Sequence, residues 1–202
     1  MFRKCLIFGG ISAAFIAVAT LSVYLYTRPI EIPKSFTEAR GRGADIASAI
    51  NDFSDQARIS LDEIVKSDRE GDYTKALDLT IIEIKRTREA KDKAIELLGE
   101  LQEMASALGE IKAEGPQSIG MQAVSTEVGL VSKLIEYNTD LDNLLNNMRM
   151  KFASYQPETF DKETEAITKR MNDIALDING SSRKYQSLMK EFDERTEAKK
   201  IF

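Results

Sequence analysis

Carboxylates are the most abundant ionisable side chains of this chain. Its 202 residues hold 33 Asp and Glu against 28 Lys and Arg, with no His and a single Cys. Two carboxylates on one helix face can do general acid–base work when their surroundings push their pKa values apart. Glu96, Glu100 and Glu103 share a face at helical spacing, as do Asp161 and Glu165. Each set flanks an apolar seam, however, where a carboxylate is ordinarily solvated. Asp140 and Asp142 fall on different faces, because residues two apart on a helix do not look the same way.

The missing residue types exclude more than the present ones suggest. Without imidazole there is no His base for a Ser or Cys nucleophile, no His-ligated metal and no Glu-x-x-His di-iron site. One Cys is too few for a disulfide framework, a Cys-rich zinc site or an Fe–S cluster. Asp68 to Asp72 has the acidity of a calcium loop but not its order, and Leu79 stands where the bidentate Glu is needed. Gly41-Arg42-Gly43 lacks the third glycine and the preceding strand of a phosphate loop. Asn179-Gly180-Ser181 fits a glycosylation sequon, which acts only in a eukaryotic secretory pathway. No spacing singles out a Ser–Lys pair. The expectation is a chain that is not an enzyme and needs no cofactor or metal. The positions to watch are Arg88 and Lys91, two cations on what reads as an apolar seam. They are a candidate contact or ligand spot, against the alternative of long side chains reaching water from the seam's edge.

Stepping outward from these side chains, the first element is a membrane segment. Met1 to Lys4 is a short basic flank carrying Arg3 and Lys4. Cys5 to Thr27 is free of charge, and Tyr24 and Tyr26 stand near its end. A run of this length spans a bilayer core, which needs about 20 helical residues, and aromatics favour the interface. The expectation is a transmembrane signal-anchor over residues 5–27 that holds the chain in the lipid bilayer. Its basic leader places the N-terminus inside and the rest outside the cytoplasm, although Arg28, Lys34, Arg40 and Arg42 argue the other way. Cleavage after Ala17-Val18-Ala19 is the alternative and would make a secreted protein. Cys5 reads as a small apolar member of the membrane helix, with acylation as the other use of a thiol at that edge.

Residues 28–34 form a linker in which Pro29 and Pro33 keep the chain extended. Beyond the membrane segment, linker included, lie all 33 acidic residues and all but two of the 28 basic ones, so this part is acidic and unsuited to nucleic acid. The body, 35–202, reads as helical throughout. The expected helices cover about 35–68, 72–113, 122–155 and 158–200. Ser35 with Glu38 has the pattern of a capping box. Phe36, Ala39, Gly43, Ile46, Ile50, Phe53, Ala57, Leu61 and Ile64 alternate at three and four, as a heptad seam does. In the second helix the seam reads Leu77, Ile81, Ile84, Arg88, Lys91 and Ile95, then Leu97, Leu101, Met104 and Leu108. The third carries Leu130, Leu134, Tyr137, Leu141, Leu144, Met148, Phe152 and Tyr155. The fourth keeps its phase from Phe160 to Phe192 across Asn179-Gly180-Ser181-Ser182, which reads as a kink in one long helix. Gly71 and Gly115-Pro116 are reversal points.

One local pattern has a known counterpart. Gly71-Asp72-Tyr73-Thr74-Lys75-Ala76-Leu77 resembles the turn and second-helix start of a tetratricopeptide repeat. The likeness covers about seven residues, and no second copy follows at the repeat's period. It implies a helix–turn–helix reversal here and no array of repeats. The whole reads as all-α: a transmembrane helix followed by an elongated antiparallel four-helix bundle, with a longer dimeric or trimeric coiled coil as the competing arrangement. The expected role is a non-catalytic interaction or scaffolding module on the extracytoplasmic side, bound to a protein partner or to further copies of itself. The alternative role is a ligand-sensing bundle, for which an internal cavity would be the mark.

Overall fold

The computed structural model describes residues 30–154 and 161–197. The fold is all-α, with four helices: α1 (Lys34–Glu70), α2 (Tyr73–Leu108), α3 (Glu114–Ser154) and α4 (Asp161–Glu197). The expected membrane helix, and the Tyr155 to Phe160 connection, lie outside the described residues. None of the described helices is long and apolar enough to cross a membrane.

The turn between α1 and α2 follows from two residues. Gly71 takes φ 77° and closes α1, its N–H bonding to the Asp68 carbonyl while the Asp72 N–H bonds to the Ser67 carbonyl. Only glycine adopts this left-handed conformation without strain. Asp72 then accepts from the Lys75 N–H at 3.1 Å and caps α2. The start of α1 differs from the expectation. The helix begins at Lys34, one residue before Ser35, and the Pro33 carbonyl takes the Phe36 N–H, so Ser35 caps nothing. A proline just before the first turn supplies the carbonyl and has no N–H to lose.

The second reversal also lies elsewhere than expected. α2 ends at Leu108, and Gly109 donates to the Ala105 and Ser106 carbonyls. Ile111, buried in the loop, fixes the path. α3 starts at Glu114, so Gly115-Pro116 opens a helix instead of ending one, and Gln117 to Gln122 is helical. Proline in a first turn sacrifices no hydrogen bond. In α4 the Asn179-Gly180-Ser181-Ser182 stretch is continuous helix. Ile178, Ser182 and Tyr185 are all buried there, so packing outweighs weak helix propensity.

Successive helices run antiparallel. Arg42 meets Glu100 while Lys75 meets Glu63, so rising numbers in α1 face falling numbers in α2. α1 packs on α2, α2 on α3 and α3 on α4, but among the described residues no Cα of α1 lies within 8 Å of one of α4. Side chains join α1 to α4 at one end of the bundle. There Arg40 holds Asp193 through two bonds of 2.9 and 3.0 Å, and the Phe36 and Phe192 rings lie 5.3 Å apart.

The core follows the expected seams of α1, α3 and α4 and corrects that of α2. Ile81 and Ile95 are exposed. The buried line is instead Ala76, Thr80, Glu83, Thr87, Ala90, Ala94, Leu97, Leu101, Met104 and Leu108, with Ile84 beside it. At the far end of that line the packing becomes tight. A Cβ on Gly120 would sit 2.6 Å from Leu108 Cδ2 and 3.1 Å from Phe192 Cε2, so α3 crosses there only because residue 120 has no side chain. Gly129, in the same helix, faces open space. Gly120→Val is therefore expected to destabilise the fold by about 2 kcal/mol through overpacking. Gly129→Ala should stabilise it by up to about 1 kcal/mol through helix propensity. Urea unfolding of the two variants beside the parent checks both signs.

Candidate functional site

A cavity of about 40 Å³ lies inside the bundle, lined by all four helices. Its origin is a layer of small side chains: Ser54 and Ala57 of α1, Thr87 and Ala90 of α2, and Ala175 of α4. Where facing positions are all short, no knob fills the hole. α1 also stands off here. No residue from Asn51 to Ser60 is fully buried, whereas Ile50 and Leu61 on either side are. Ser54 and Asn179, which both line the cavity, lie about 21 Å along their helices from the Arg40–Asp193 clasp at ~1.5 Å per residue.

Apolar walls come from Leu134 and Leu141 of α3 and Ile178 of α4, together with Leu61 of α1. The polar side is α2. Glu83 is 0% exposed, and its Oε2 accepts from Arg86 at 2.7 Å. Arg86 also donates to Ser60 Oγ at 2.9 Å. Glu83 Oε1 has no hydrogen-bond partner, and neither has the hydroxyl of Thr87, a residue 3% exposed. Thr87 is unusual in this. Thr80, Thr126, Thr139, Thr168 and Thr196 all donate to the carbonyl four residues back. Tyr137 brings a ring to the same cavity, and burial pushes its phenol pKa up. Leaving buried acceptors without donors costs about 1–3 kcal/mol each, so the site is built with unmet hydrogen-bonding demand.

The seam cations expected to mark a site lie elsewhere. Arg88 is exposed and its Nε bonds to Asp142 Oδ1 at 3.1 Å. Lys91 Nζ donates to the Thr139 hydroxyl at 3.0 Å. Both therefore span the outer edge between α2 and α3, one register away from the buried line. The acidic face of Glu96, Glu100 and Glu103 is paired too, Glu96 with Lys93 of its own helix. Arg42 of α1 bonds to both Glu100 and Glu103, and these contacts raise its own pKa, the Glu100 hydrogen bond first. Asp140 turns to α4, where Arg170 holds it through bonds of 2.7 and 2.8 Å. Asp140 and Asp142 thus serve opposite neighbours, as their spacing requires. Among the described residues no three His, Cys, Asp or Glu side chains are grouped to hold a metal ion. Glu83 escaped the sequence reading because charged residues are rarely central to a core. A signal was present: stepping back from Leu97 by three and four lands on Ala94, Ala90, Thr87, Glu83, Thr80 and Ala76.

A second buried carboxylate lies toward the clasped end. Glu127 of α3 is 4% exposed and its Oε2 has no partner. Burial alone pushes its pKa from 4.5 to about 7. Tyr185 of α4 lies within its field, and the Tyr185 pKa is raised first by burial and then by Glu127, with Arg40 acting the other way and Asp193 the same way.

No protein family, characterised protein or solved structure matches the chain.

Two outcomes follow for the buried carboxylates. Glu127 binds its proton more tightly folded than unfolded. Its contribution is thus whole below about pH 4.5 and is lost as pH rises through about 7, a loss of about 3 kcal/mol. Denaturant midpoints taken across that range should show the decline in the parent, and Glu127→Gln should remove it. The double variant Glu83→Met/Arg86→Met should raise stability by about 1 kcal/mol or more, since it replaces the whole ion pair, with its unmet oxygen, by apolar side chains. A lowered melting temperature for this variant would show that the Glu83–Arg86 pair stabilises the core.

Proposed function

We propose that this chain is a single-pass, membrane-anchored helical bundle that works by non-catalytic binding on the extracytoplasmic side. The observation that carries it is the join between an uncharged run of anchor length, Cys5 to Thr27, and a helical body that begins at Lys34 directly after a two-proline linker. Such a join holds a bundle near a bilayer surface. The partner is a protein or a second copy of the chain. Arg88, 61% exposed at its side chain, and Lys91 beside it on the α2–α3 edge are the first contact spot to examine. The acidic body argues against nucleic acid as the partner.

A second reading, ligand sensing by the bundle, is favoured by the cavity over Glu83. A bundle that served only as a spacer gains nothing from two buried polar atoms left without partners beside a void.

The anchored reading is tested by topology in intact cells and spheroplasts, with a tag on the C-terminus. The expected product is full-length, membrane-bound and cleaved by added protease. A protected tag in the membrane fraction would place the bundle in the cytoplasm and sink the extracytoplasmic assignment. A soluble, shortened product would mean cleavage after Ala19 and a secreted protein.

A further inference from the structure

We propose that the cavity over Glu83 is a binding site for a short primary alkylammonium ion. The proposal deepens the ligand-sensing reading by naming the ligand, and it does not depend on the membrane anchor. Two polar groups at the cavity are without partners, Glu83 Oε1 and Thr87 Oγ1, on residues 0% and 3% exposed. A carboxylate oxygen can only accept, and a threonine hydroxyl has two lone pairs. Glu83 Oε1 therefore needs a donor, and the Thr87 hydroxyl, which can also donate, has lone pairs free to accept from the same one. An ammonium group brings three donors, and a charge-assisted bond to a buried carboxylate is about twice as strong as a neutral one. An anion is disfavoured, because it would lie against Glu83 Oε1.

The remaining walls fit a short alkyl chain. Leu134, Leu141 and Ile178 are apolar, and Phe53 and Tyr137 bring rings whose faces attract a cation. A volume of about 40 Å³ is about three times what one water needs, so two or three heavy atoms fit. The two guanidinium groups at the site do not block a cation. Arg86 is engaged with Glu83 and Ser60. Arg58 is exposed, and solvent screens it while Glu83 is shielded. Entry is by way of α1, whose Asn51 to Ser60 stretch has no fully buried residue and no Cα within 8 Å of α4.

The test is titration of the full chain, in mild detergent where needed, with ethylammonium chloride. Ethanol and sodium propionate serve as size-matched controls at equal ionic strength. Binding is read by calorimetry and by NMR shifts of the lining residues. Ethylammonium should saturate with a Kd on the order of 1 mM, at the limit set by its few heavy atoms. It should bind about tenfold tighter than ethanol, and Glu83→Gln should weaken it about tenfold. Leu176→Ala, a change at an exposed site on α4, should leave it unchanged. Should Glu83→Gln not fold, Ala90→Leu fills the cavity without touching the carboxylate and must abolish binding. Ethylammonium that binds Glu83→Gln or Ala90→Leu as well as the parent overturns the proposal. Saturation at the cavity by ethanol or propionate in preference to the amine overturns the amine assignment and leaves ligand sensing standing. No saturation by any of the three sinks both.

Discussion

The buried line of α2 sets the geometry on which the remaining packing depends. α2 touches both α1 and α3, while α1 and α4 make no close backbone contact, so α1 is held to the body chiefly through α2. That line changes character along its length. From Leu97 to Leu108 it presents large apolar side chains, and the packing is tight enough that Gly120 of α3 has no room for a methyl group. From Ala76 to Ala94 it presents alanine, threonine and one glutamate. Large side chains in the first stretch fill the space between helices, and short ones in the second leave a void in the middle. The cavity is thus a direct consequence of side-chain length on one helix, enlarged because α1 brings Ser54 and Ala57 to the same level.

Among the described residues three carboxylates are buried; Asp140 is held by Arg170, and the other two, Glu127 and Glu83, sit in different surroundings. Glu127 has no cation beside it, so burial raises its pKa toward neutrality and the proton is its natural partner. Glu83 has Arg86 three residues on, bonded at 2.7 Å through one oxygen, while its other oxygen is unmet. A carboxylate of the first kind answers to pH. One of the second kind retains a demand for a hydrogen-bond donor. The first lies toward the end clasped by Arg40 and Asp193, and the second lines the cavity at the level where α1 has no fully buried residue.

The remaining charges mostly pair across neighbouring helices. Arg42 with Glu100 and Glu103, Lys75 with Glu63, Arg88 with Asp142, Lys133 with Asp177 and Arg170 with Asp140 lie along successive helix pairs. Exposed pairs of this kind contribute little energy each. They do favour the register, since a slip of one helical turn would part these partners. Lys151 adds a tie from the end of α3 to Asp68 at the end of α1, at 2.7 Å. With the Arg40–Asp193 clasp at the other end, α1 is fastened near both of its ends and is least held in the middle.

The sequence by itself determined the fold class, the four helices and most of the core. Three-and-four spacing in α1, α3 and α4 names buried residues directly, because burial of an apolar stripe is what drives those helices together. It also determined the Gly71–Asp72 reversal, since a left-handed cap followed by an N-cap is local chemistry. What only the tertiary structure decided was the face of α2 that is buried. Two lines one residue apart were both regular there: Ile81, Ile84, Arg88, Lys91 and Ile95, or Thr80, Glu83, Thr87, Ala90 and Ala94. Residue hydrophobicity favoured the first. Contact with α1 on one side and α3 on the other selected the second. That choice lies beyond local periodicity, and with it came the buried Glu83, its unmet oxygen and the cavity beside it.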